Sequence, residues 1–92
     1  MEITDIRVRK CFDEGPMKAV VSVTFDNAFV VHDVKVIQTK DKYFIVMPSR
    51  RNPDGSFRDI AHPINADFRA VLEGAVVQAY FAELENPKEE NE

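Results

Sequence analysis

"MKAVVSVTFD", Met17 to Asp26, is the stretch whose reading decides the fold. Its apolar residues alternate, so that Met17, Ala19, Val21, Val23 and Phe25 share one face. A period of two in β-branched residues marks a strand with one buried side. The run before it, "TDIRVRKCF" (residues 4–12), alternates in the same way. Thr4, Ile6, Val8, Lys10 and Phe12 take one face there, and Asp5, Arg7, Arg9 and Cys11 take the other. "DEGP" supplies turn chemistry between the two runs, which are expected to pair as an antiparallel hairpin. Cys11, at the end of the first run, is expected to be a small, partly buried apolar residue.

Downstream, "AFVVHDVKVIQ" aligns Val30, His32, Val34 and Val36, and "TKDK" turns the chain into "YFIVMP". That is a second hairpin. After Pro48 the chain becomes polar and basic, and Pro53-Asp54-Gly55 is a turn signature. "IAHPI" (60–64) adds a short fifth strand that His62-Pro63 ends, because proline lacks a ladder donor. Asn65 is a candidate helix N-cap, with Asp67 favourably placed in the first turn. From Ala66 to about Leu84, the residues Phe68, Val71, Leu72, Ala75, Val76, Ala79 and Tyr80 form one apolar stripe. Gly74 inside that helix costs about 1 kcal/mol relative to alanine, which a close approach of backbone to sheet would justify.

The expected fold class is therefore α+β: a small antiparallel β-sheet of four to five strands in hairpins, followed by a C-terminal amphipathic helix packed on one face. Residues 1–84 are expected to form a single domain, and residues 85–92, "ENPKEENE", an acidic, disordered tail. The other sheet face is only half polar, and a sheet this small leaves edges that need covering. A homodimer is the expected state.

The formal net charge of −4 misleads, because the tail sets four glutamates against Lys88. Residues 1–84 then carry eleven basic and twelve acidic side chains, and a neutral body can present a local basic patch. A single cysteine excludes an intrachain disulfide and a cysteine-based zinc site. The charged N-terminus lacks the apolar run of a signal peptide, and no run approaches the ~20 residues of a membrane span. A soluble, cytoplasmic protein is expected.

Enzymatic chemistry finds little support. His32 lies mid-strand among valines, and Asp33 projects to the opposite face, so the two do not form a dyad. His62 precedes a proline, where turn geometry explains it as well as catalysis would. Ser22, Ser49 and Ser56 lack a nucleophile-elbow context, and the three glycines form no phosphate loop. No catalytic residue, metal, cofactor or small-molecule substrate is expected.

The arginines of "SRRNPDGSFRD" remain. A loop folded at Pro53-Asp54-Gly55 would bring Arg50 and Arg51 toward Arg58, a set of forked donors suited to phosphate oxygens. Arg7, Arg9 and Lys10 add basic character on the first strand. The alternative is that Arg51 and Arg58 pair with Asp54, Asp59 or Glu14 and only solvate the loop. Composition leaves both open.

"MPSRRNPDGSFRDIAHPI" (47–64), together with "FVVHDVKVI" and "MEITDIRVRK … EGPMKAVVSVTFD", resembles the SpoVG family, the bacterial stage V sporulation and septation proteins. The resemblance spans residues 1–84. It implies a dimeric bacterial regulator that binds DNA, with RNA as a further ligand, and carries no cofactor. It also implies that Arg50, Arg51 and Arg58 contact nucleic acid. Two positions depart from the family's habit: Pro16 stands where a basic residue is common, and Ser56 where glutamate is common. The residues themselves admit a second class, a protein-interaction module whose arginine loop binds an acidic protein partner.

Overall fold

Alternation carries β2 (Met17–Phe25) into the centre of the molecule: Ala19, Val21 and Val23 are fully buried, and Phe25 nearly so. β1 (Ile3–Cys11) pairs with one edge of β2 and β3 (Phe29–Thr39) with the other, and β4 (Lys42–Val46) follows β3. All pairings are antiparallel and the strand order is the chain order, as two consecutive hairpins require. The structure is a computed structural model, and it describes residues 1–85.

One helix, α1 (Ala66–Glu85), covers a single sheet face, so the fold is α+β. Its start is set by Asn65, whose Oδ1 accepts the Phe68 N–H at 2.7 Å. Such a cap is worth about 1 kcal/mol. Leu72, Val76 and Tyr80 are buried against Val21, Val34, Val36, Ile45 and Met47, with Phe68 partly buried beside them. At the far end Tyr43 meets Phe81 edge-on at 4.9 Å between ring centroids.

The helix also closes one sheet edge. Arg69 Nη2 donates to the Ile45 carbonyl at 3.0 Å, and Glu73 Oε2 accepts the Ile45 N–H at 3.1 Å. These are backbone groups that a fifth strand would otherwise take.

Several expectations are corrected. In β1 the register passes from Val8↔Val21 to Lys10↔Val20, so Arg9 is an extra, bulged residue. Beyond it the faces exchange. Lys10 and Phe12 leave the face of Val8, and Lys10 Nζ lies 5.5 Å from the Phe12 ring centroid. Cys11 pairs with buried Ala19 but is itself exposed at the strand's end. Partial desolvation, then Glu83 and Asp13, push its thiol above the ordinary range.

The register also shifts at Thr4 in β1, and at Lys18 in β2, where Met17↔Ile37 is followed by Ala19↔Val36, so Met17 leaves the face it was expected to share with Ala19. In β3 a further bulge lies between Val21↔Val34 and Val23↔Val31, with Asp33 at φ 65°. Val31 therefore joins the core, while Val30 and His32, expected in line with Val34, are exposed. On α1, Val71 falls on the buried stripe by periodicity but is 58% exposed; the buried repeat is Leu72, Val76 and Tyr80. A Cβ at Gly74 would meet nothing within 4 Å, so close approach does not explain that glycine. "IAHPI" forms no strand; β5 (Ser49–Arg51) and β6 (Phe57–Asp59) pair instead as a separate two-stranded ribbon. Glu85 is the last helical residue, and the rest of the acidic tail lies outside the described residues.

Candidate nucleic-acid interface

The ribbon of β5 and β6 is built by its turn. The Gly55 N–H donates to the Asn52 carbonyl at 3.0 Å, with Pro53 and Asp54 between them, and Gly55 takes φ 92°. The Asn52 N–H then reaches the Ser56 carbonyl at 2.7 Å and closes a three-residue loop. Proline at the first turn position and glycine in the left-handed position are what this turn demands.

Asp54 Oδ1 accepts both the Ser56 N–H at 2.9 Å and the Ser56 hydroxyl at 2.6 Å. Those bonds favour the ionised form and hold the Asp54 carboxyl below the usual range. Asn52 Nδ2 donates to Ser56 Oγ at 3.1 Å, so Ser56 is a structural member of the turn.

Counting outward from this turn fixes the register: Arg51 faces Phe57, Arg50 faces Arg58, and Ser49 faces Asp59. Alternation then divides the arginines. Arg50 and Arg58 share one side of the ribbon, and Arg51 shares the other with Phe57, Ser49 and Asp59. All three arginines are exposed. Among the described residues none makes an ion pair with a carboxylate within 4.0 Å, and the pairing with Asp54, Asp59 or Glu14 weighed from the sequence does not form. Like charges directly opposite on a ladder oppose each other by some tenths of a kcal/mol to about 1 kcal/mol. Arg7, by contrast, is engaged by Asp5 at 3.4 Å.

Two features of this arm were not anticipated: the direct opposition of Arg50 and Arg58, and the display of Phe57, which is 70% exposed. The first was recoverable, since a three-residue loop between Asn52 and Ser56 dictates the register by counting. The second carried no sequence signal, because a single Phe in so short a segment leaves no period from which its exposure could be read.

The histidines stand apart from the arm's polar network. His32 Nδ1 lies 2.8 Å from Ser22 Oγ, a clasp across the β3 bulge, with Ser22 buried in mid-strand. His62 Nδ1 lies 3.0 Å from the Pro63 carbonyl. Among the described residues no group of three or more His, Cys, Asp or Glu is placed to hold a metal ion, and no helix is long and apolar enough to cross a membrane.

The SpoVG family model matches residues 1–82. Relatives that carry the name "Putative septation protein SpoVG" include those of three bacteria. That of Clostridioides difficile (strain 630) is 63% identical over 84 residues, 91% of this chain and 91% of the relative. That of Acetivibrio thermocellus is 64% identical over 80 residues, 87% of this chain and 85% of the relative. The Caldanaerobacter subterraneus protein is 62% identical over 86 residues, 94% of each. The match runs through every strand, the arginine ribbon and nearly all of the helix, and this chain belongs to the SpoVG family.

Proposed function

We propose that this chain is a nucleic-acid-binding regulator, acting as a dimer on DNA and also on RNA, in the septation for which its relatives are named. The observation that carries the proposal is the Arg50–Arg58 opposition: two guanidiniums across one ladder rung, with no carboxylate partner among the described residues. A phosphate between them would turn repulsion into a charge-assisted bridge. Arg51, on the other side of the ribbon, would hold a neighbouring phosphate, so that the backbone runs across the arm. Such phosphate bridges position a nucleic acid without reading its sequence.

Binding to duplex DNA and to single-stranded RNA across a salt gradient tests this. Both ligands should bind, with log affinity falling linearly against log salt. Replacing Arg50 and Arg51 together by alanine should weaken both and flatten the slope by about one unit for each phosphate no longer neutralised. The melting temperature should hold, because both side chains are exposed on the ribbon. A double variant that binds as the parent does would remove the arm from the mechanism. Failure to bind either nucleic acid, with recovery of one acidic protein on the same arginines, would establish the interaction-module alternative.

A further inference from the structure

Phe57 is a large apolar ring on a polar arm, 70% exposed, on the strand after the turn. No ring or cation pairs with it among the described residues, although five other aromatic side chains of the core and helix pack ring against ring. Arg51, its cross-strand neighbour, does not lie over it; that guanidinium reaches toward the turn, with Nη2 4.0 Å from where a Cβ on Gly55 would stand. The face of the ring is free, and its cross-strand neighbour carries a cation that extends toward the turn.

We infer that Phe57 and Arg51 form a stacking platform for one unpaired nucleobase, with Arg51 holding the adjoining phosphate. The inference rests on the nucleic-acid reading and adds that the preferred substrate exposes single-stranded bases. Stacking on an aromatic face requires a base that is out of its helix, because a duplex hides both faces of each base. Asp59 shares this side at the root of the arm, so a phosphate is favoured at the Arg51 end and disfavoured at the root. A protein partner with an apolar surface fits this place less well. Covering Phe57 would desolvate Arg51, on the same side of the ribbon, without supplying a carboxylate. A single strand supplies both the π-face and the anion.

The chain has no tryptophan, so F57W creates a single reporter at the platform. The full-length variant is titrated with fluorescein-labelled oligo(dT), with a mixed-sequence DNA duplex, and with heparin, a polyanion that has no bases. Oligo(dT) should bind by anisotropy and quench the tryptophan, whereas duplex and heparin should bind at low salt and leave its intensity nearly unchanged. F57A should bind oligo(dT) about tenfold more weakly. It should keep the parent's duplex affinity and its mass by light scattering. Binding of oligo(dT) without quenching, or equal quenching by heparin, overturns the platform and leaves the arginine reading standing. No binding of any of the three polyanions overturns both. A fall in mass for F57A assigns the ring to a protein interface and likewise overturns the platform.

Discussion

Gly74 illustrates how a single residue carries a cost that packing does not repay. It lies in the interior of α1, its φ is not in the left-handed region, and a Cβ there would meet open space. Alanine adds no clash and restricts the unfolded chain, so Gly74→Ala should stabilise the protein by about 1 kcal/mol in urea or thermal unfolding. Nucleic-acid binding should be unchanged, since the ribbon is made by other residues. The opposite case is Asp54, whose two bonds to Ser56 hold the arm's turn. Its folded-state pKa is depressed, so its contribution is present above the ordinary carboxylate range and is lost as pH falls through the lower folded value. The arm's turn is therefore expected to loosen only under acid conditions.

At the scale of elements, the sheet is held by pairs of strands, and its last strand is held by the helix. Glu73 and Arg69 together satisfy the outward N–H and C=O of Ile45. Glu73→Ala leaves that N–H without its charged acceptor and should cost about 1.5 kcal/mol, measured by urea unfolding. Glu73→Gln retains an acceptor and should lose less. Comparison of the elements also shows where the sequence was readable. The hairpins, the Asn65 cap and the helix follow from period and capping chemistry, because those signals are local. The faces of Lys10, Phe12, Met17, Val30 and His32 did not follow. Alternation counts residues evenly, whereas the register shifts at Thr4, Arg9, Lys18 and near Asp33 each insert one and exchange the sides. The aspartate in mid-strand was a weak hint, since Asp tolerates the φ of 65° it adopts better than most residues. The ribbon was legible as a turn flanked by arginines and illegible as a separate sheet, because two three-residue strands are too short to show a period.

At the scale of the whole molecule, one chain leaves more apolar surface than its helix covers. Ile60 and Ile64 are 68% and 89% exposed, and Phe29 is also exposed at the opening of β3. β3 itself is flanked by β2 and β4, so it has no free edge for strand pairing; an edge seam is available at β1, because Glu73 and Arg69 occupy β4. Light scattering is expected to give twice the chain mass of 10.5 kDa at micromolar concentration. Replacing Ile60 and Ile64 together by aspartate should halve that mass while preserving the circular dichroism, since neither side chain is in the core. A parent that scatters as a monomer would refute the dimer. Charge acts over the same scale. Residues 86–92 add three glutamates against Lys88, a local negative excess near a nearly neutral body. Such an excess repels a polyanion within roughly 10 Å at 0.1 M salt and farther at lower salt. Truncation after Glu85 keeps every residue of α1 and should tighten nucleic-acid binding by about twofold at low salt, the gain shrinking as salt rises. Equal affinities at low salt would show that the acidic segment stays beyond electrostatic reach of the arginines.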